Sequence, residues 1–93
     1  MNFAIIGATG NVGRKTIDIL EKSNLKIENL FLIASKNSSG KKISFKRKKI
    51  KIISLESYDF SKAQITFFAA GSSIAKKWAP IAAKKTIVID NSN

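Results

Sequence analysis

Short apolar runs separated by longer amphipathic stretches set the layout of this chain. Phe3 to Ile6 is an apolar run closed by Gly7. It is too short for a helix of about ten residues and suits a buried strand. Leu30 to Ala34 and Ile65 to Ala70 read the same way, and Thr86 to Ile89 supplies a further strand. Between the first two runs, Val12, Thr16, Ile19 and Leu20 recur at i, i+4, i+7 and i+8, which predicts an amphipathic helix with that stripe inward and Arg14, Lys15, Asp18, Glu21 and Lys22 in water. Asp18 and Lys22 are spaced to pair, and Ser23-Asn24 marks the stop. A second helix starts at Ser73, with Ile74, Trp78, Ile81 and Ala82 at the same spacing and a kink expected between Lys76 and Pro80, where proline removes a backbone donor. Ile43, Phe45, Ile50 and Ile52 alternate with lysines around Arg47-Lys48, the period-2 pattern of an exposed hairpin or ribbon.

Strands alternating with helices at this spacing pair in parallel through right-handed crossovers, which requires helices on both faces of the sheet. The expected fold is therefore α/β: a Rossmann-like parallel sheet covered on both faces, plus a small basic β-hairpin. Residues 1–93 make one domain, because a chain of 93 residues has no room for a second core. The hydrophobic share of 44% with one proline and five glycines is ordinary globular composition. There is no cysteine and no histidine, so this chain by itself holds no thiol nucleophile, thiolate metal site or imidazole base. The start of the chain lacks the basic leader of a signal peptide, no run is long enough to span a bilayer, and the setting expected is cytoplasmic.

Charge adds an attraction for anions. Seventeen Lys plus Arg against six Asp plus Glu give a formal +11, and the segment from Lys41 to Lys51 is basic with no acid before Glu56. Nucleic acid is not the expected partner: the cations are mostly lysine, and Phe45 is the one aromatic interleaved with them.

The candidate chemistry lies at the strand ends. Gly7-Ala8-Thr9-Gly10-Asn11-Val12-Gly13 leaves the first strand and opens the first helix, the placement of a dinucleotide fingerprint. Gly7 permits the tight turn, Gly10 lets backbone N–H groups approach a pyrophosphate, and Gly13 lets helix and strand pack closely. The helix N-terminus adds free N–H groups and partial positive charge. After the second strand, a site for NAD usually carries Asp or Glu against the ribose 2′-hydroxyl. Here Ser35-Lys36-Asn37-Ser38-Ser39-Gly40-Lys41 offers hydroxyls, an amide and ammonium groups, which favours the 2′-phosphate of NADP, with Ser35, Asn37 and Ser38 ahead of the lysines. Gly71 and Ser72, at the end of the third buried strand, face the nicotinamide side, with helix capping an equal role for Ser72 and Ser73. Asp90 is expected to bond loop amides, and Trp78 to belong to the core.

Four motifs in order, GATGNVG at Gly7–Gly13, ASKNSSGKKI at Ala34–Ile43, FFAAGSSIAKKWAP at Phe67–Pro80 and VIDNSN at Val88–Asn93, make the sequence resemble the N-terminal coenzyme domain of bacterial aspartate-semialdehyde dehydrogenases. That resemblance implies NADP-dependent reductive dephosphorylation of aspartyl phosphate to aspartate semialdehyde, on the route to lysine, threonine, methionine and diaminopimelate. It implies that Thr9, Gly10, Asn11, Val12 and Gly13 cradle the pyrophosphate, that Ser35, Asn37 and Ser38 hold the adenosine phosphate, and that Gly71 and Ser72 approach the nicotinamide. Many members have arginine at the position of Asn37. The family's phosphate-binding arginine, nucleophilic cysteine and acid-base histidine fall beyond the position of Asn93. The chain is therefore expected to be an incomplete coenzyme domain, without catalytic residues, substrate binding or the family's homodimer contacts. N-acetyl-glutamyl-phosphate reductase is the nearest rival, but usually carries leucine-proline-histidine where this chain reads Ala70-Gly71-Ser72. A non-catalytic nucleotide-binding or basic interaction module is the alternative from another class.

Overall fold

The structure, a computed structural model, describes residues 1–91; the last two positions of the VIDNSN motif, Ser92 and Asn93, lie outside the described residues. Six strands, β1 (Asn2–Ile6), β2 (Asn29–Ala34), β3 (Lys42–Phe45), β4 (Lys48–Ser54), β5 (Ile65–Phe68) and β6 (Ile87–Asp90), form one sheet in the order β3-β4-β2-β1-β5-β6. All pairings are parallel except β3 with β4. Helices α1 (Asn11–Lys22) and α2 (Ser72–Ala82) lie on opposite faces and seal separate cores. Ile5, Leu32 and Ile52 face α1, whereas Ile6, Ile33 and Phe68 face α2. Burial on both faces is why the central strands read as unbroken apolar runs instead of alternating. Among the described residues no helix is long and apolar enough to cross a membrane.

The basic hairpin forms, but it is not an exposed ribbon. Ile52, Ile53 and Ser54 pair with Leu32, Ile33 and Ala34, so β4 extends the main sheet, and Phe45 and Ile52 are buried. The alternating apolar positions are the part of the sheet that α1 covers. The turn falls at Lys46-Arg47, one residue earlier than expected, with both residues at positive φ (48° and 69°). A two-residue connection of this kind matches the twist of the strands it joins. Glu21 of α1 accepts a hydrogen bond from the Lys46 backbone N–H at 2.7 Å and ties the turn to the helix.

The first helix presents a different stripe from the one the spacing suggested, and the second departs from it at Ile81. In α1 the buried residues are Gly13, Ile17 and Leu20, while Ile19 is 65% and Val12 42% exposed. The cause is Gly13: a Cβ there would sit 2.0 Å from the carbonyl oxygen of Gly7, so the helix must turn that bare position to the sheet. Ile17 and Leu20, four and seven residues on, follow it inward. Asp18 and Lys22 do not pair, whereas the Met1 ammonium group forms an ion pair with Glu28 at 2.7 Å. In α2, Ala75 and Ala82 make the close line to the sheet, Ile74, Trp78 and Ala79 flank it, and Ile81 is exposed. Alanines let the helix axis approach closely. The helix runs on through Pro80 to Ala82, and the carbonyl of Lys76, which proline leaves without its donor, lies on an exposed residue.

Candidate functional site

The loop from Gly7 to Gly10 is held by the strands on either side of β1. The backbone N–H groups of Gly7 and Ala8 both donate to the carbonyl of Ile33 in β2, at 2.8 and 3.1 Å. On the other side, a Cβ on Gly7 would meet the Cα of Ala70 at 2.7 Å, and Gly7 has φ of +90°. Glycine is required there both by contact and by backbone conformation. Gly10 differs, since a Cβ would come no closer than 3.6 Å to the chain. The space beside it is open to a ligand. Gly10 caps α1 without a side-chain hydrogen bond, and the first turn carries no acid, so the helix end itself holds no group that competes with an anion for the N–H groups there. Arg14 donates from Nε to the carbonyl of Thr9 at 3.2 Å, which fixes the loop from its outer side.

A cleft of about 550 Å³ opens over the carboxyl ends of the strands, beside this loop. Thr9 and Gly10 form one wall with Gly7 and Ile6, and Ser35 and Lys36 follow at the end of β2. Ala69 and Ala70 close it at β5, with Ile74, Lys77 and Trp78 from α2. This is the crevice where the chain passes from building outward through β2 and β4 to building on the other side through β5 and β6, the usual ligand position in an open α/β sheet.

The other expected residues are distributed around it. Gly13 is buried under the loop and acts on packing. Asn11 and Val12 border a separate shallow depression with Arg14, Lys15 and Asp18. Asn37 and Ser38 lie in a helical turn, Lys36–Ser38, just past the cleft wall; Asn37 is exposed and Ser38 half-buried. Gly71 has φ of +99° with no atom within 4 Å of a Cβ built on it, so its freedom serves the backbone turn and leaves open space. Ser72 faces a second depression, shared with Ser73, Lys76 and Asp90. Gly71, not Ser72, is the N-cap of α2.

Sequence reasoning missed part of the wall. Leu55 and Glu56 reach the cleft from the turn after β4, and Lys77 and Trp78 from α2. Trp78 packs against the core, as expected, and lines the cleft as well. The signal for Glu56 was its position two residues after a strand end, hidden because β4 continues past the alternating segment to Ser54. Behind that wall Tyr58 stacks edge-on with Phe60 at 5.3 Å between ring centroids. Its hydroxyl is buried without a hydrogen-bond partner among the described residues. Burial, with a smaller contribution from the neighbouring Asp59 charge, pushes the hydroxyl pKa up to about 12.

A doubly wound sheet with a glycine-lined helix N-terminus at its switch point defines a nucleotide-binding domain. The family described as semialdehyde dehydrogenase, NAD binding domain, matches residues 2–93, and the chain belongs to that family. It is 50% identical to aspartate-semialdehyde dehydrogenase of Rickettsia bellii (strain RML369-C) over 93 residues, which are 99% of this chain and 28% of that protein. Among solved structures, aspartate semialdehyde dehydrogenase II of Vibrio cholerae complexed with ASA superposes with a TM-score of 0.93 at 42% identity, over 97% of this chain and 30% of that one. A probable aspartate-semialdehyde dehydrogenase from Pseudomonas aeruginosa gives 0.93 at 33% identity, over 99% of this chain and 28% of that one. The chain thus corresponds to the nucleotide-binding part of these enzymes and spans little more than a quarter of their length.

Proposed function

We propose that this chain binds NADP(H) and supplies the coenzyme-holding part of an aspartate-semialdehyde dehydrogenase, which converts aspartyl phosphate to aspartate semialdehyde in amino-acid biosynthesis. The observation that carries the reading is the open N-terminus of α1, with Gly10 leaving room beside it, at the edge of the strand-end cleft. When bound, the cofactor supplies the hydride. The chain's own task is to hold it: the backbone from Thr9 to Gly13 takes the diphosphate, and the open side of Gly71 leaves room for the nicotinamide ribose. Ser35, with Asn37 and Ser38 in the adjoining turn and Lys36 beside them, receives the 2′-phosphate.

The preference for NADP rests on Ser35, which stands at the end of β2 where a carboxylate would repel a phosphate carrying nearly two charges. Isothermal calorimetry should show NADPH bound more tightly than NADH, and Ser35→Asp should reverse the order. Equal affinities in the unaltered chain would overturn the 2′-phosphate assignment. With no cysteine in the sequence there is no thiol to form an acyl-enzyme. Purified chain mixed with aspartate semialdehyde, NADP and phosphate should therefore give no NADPH above background, and a measurable rate would refute the division of labour.

A further inference from the structure

Strand order across the cleft maps onto the order of groups in a dinucleotide. The anion-binding loop follows β1, Ser35 and Lys36 follow β2, and Leu55 and Glu56 follow β4, in adjacent positions of the sheet. The last paired residues of β2 and β4, Ala34 and Ser54, are directly opposite one another. Neighbouring strands are about 4.8 Å apart, so the end of β4 stands roughly 10 Å across the sheet from the end of β1. A diphosphate at the first position and a ribose at the second leave the third for the base. Glu56 is exposed on the wall there and makes no hydrogen bond or ion pair among the described residues. Leu55 adds apolar surface to the wall beside it, against which a flat heterocycle can rest.

We infer that Glu56 is a specificity-determining residue that reads the base: its carboxylate accepts a hydrogen bond from the exocyclic amine of adenine. This rests on the nucleotide reading of the cleft and deepens it. Chemistry makes the choice of base sharp. An ionised carboxylate only accepts hydrogen bonds, so it favours the amine of adenine and opposes the oxygen that hypoxanthine carries at the same position. A glutamine amide can accept from the one or, turned over, donate to the other.

The test is calorimetry on the 93-residue chain with NADP and with nicotinamide hypoxanthine dinucleotide phosphate. The unaltered chain should favour the adenine form about tenfold, the scale of one hydrogen bond to a charged group. Glu56→Gln should bring the two affinities within about twofold, and Glu56→Ala should lose about tenfold for the adenine form alone. The NADPH-to-NADH ratio should stay unchanged in Glu56→Gln. Equal binding of both bases by the unaltered chain, or full discrimination retained by Glu56→Gln, would overturn the assignment. A changed NADPH-to-NADH ratio would overturn it too, by placing the carboxylate at the ribose. Binding of neither dinucleotide would reject the nucleotide reading and this inference with it, a result distinct from the others.

Discussion

Among single residues, Gly13 has the least tolerance for change. A methyl group there would press on the backbone of Gly7 and Ala8, at 2.0 Å from the Gly7 oxygen and 2.9 Å from the Ala8 Cα, and backbone atoms have no alternative rotamer. Gly13→Ala should cost about 3 kcal/mol in urea unfolding, at the upper end of overpacking effects. Gly10→Ala should leave stability nearly unchanged and weaken NADPH binding, because its Cβ meets open space that the proposed ligand would fill. The glycine spacing and the division of labour among the three were legible in the sequence, but how strictly each position excludes a side chain was not. It depends on which atoms of the loop and the strands behind it meet each glycine. Tyr58 makes the second case. With the folded pKa near 12 against the ordinary 10, the unfolded chain loses its proton first. Stability from this group is complete below pH 10 and declines as pH rises from 10 through 12. Tyr58→Phe should abolish that component in denaturation measured across the range, and should gain up to about 1 kcal/mol at neutral pH by removing an unpartnered hydroxyl.

At the scale of elements, alternation revealed the hairpin and periodicity revealed both helices. Turn placement and helix rotation were hidden. Lys46-Arg47 has none of the glycine or asparagine that normally marks two consecutive residues at positive φ, so nothing in the composition of the turn located it. The same fact predicts a gain. Lys46→Asn with Arg47→Gly should raise the unfolding free energy by about 1 kcal/mol, since a left-handed non-glycine residue costs about 1 kcal/mol or more and asparagine bears that conformation better than lysine. The hydrogen bond from the position 46 backbone to Glu21 survives the change. A loss of stability would show that the lysine and arginine side chains, not the turn geometry, hold the hairpin. Helix rotation was hidden because the apolar residues of α1 span a wide arc. Val12 and Ile19 extend the stripe sideways, and the contact that selects Gly13, Ile17 and Leu20 is made by a residue with no side chain.

For the molecule as a whole, the alternation of runs and amphipathic stretches was enough to read a parallel sheet with helices on both faces. That the basic hairpin would join its edge was not legible, because pairing of β4 with β2 depends on residues Ile52 to Ser54, which lack any periodic mark. A net charge of +11 sets the energetics. Lys42 stands directly opposite Lys51, an arrangement that costs stability in a two-stranded ladder. Added salt should raise the melting temperature by screening these charges, and NADPH should raise it further by binding only the folded form. Indifference to both would contradict the charge argument and the binding reading together. The central position of β1 bears on kinetics. Its two neighbours come from residues 29–34 and 65–68, so closing both flanks means closing long loops, and chains of this topology fold in milliseconds to seconds instead of microseconds. The loop from Gly7 to Gly10 needs both flanks, the Ile33 carbonyl on one and the Ala70 backbone on the other. Competence to hold a dinucleotide should thus arrive with the slowest refolding phase, leaving no partly folded species that the ligand can capture early.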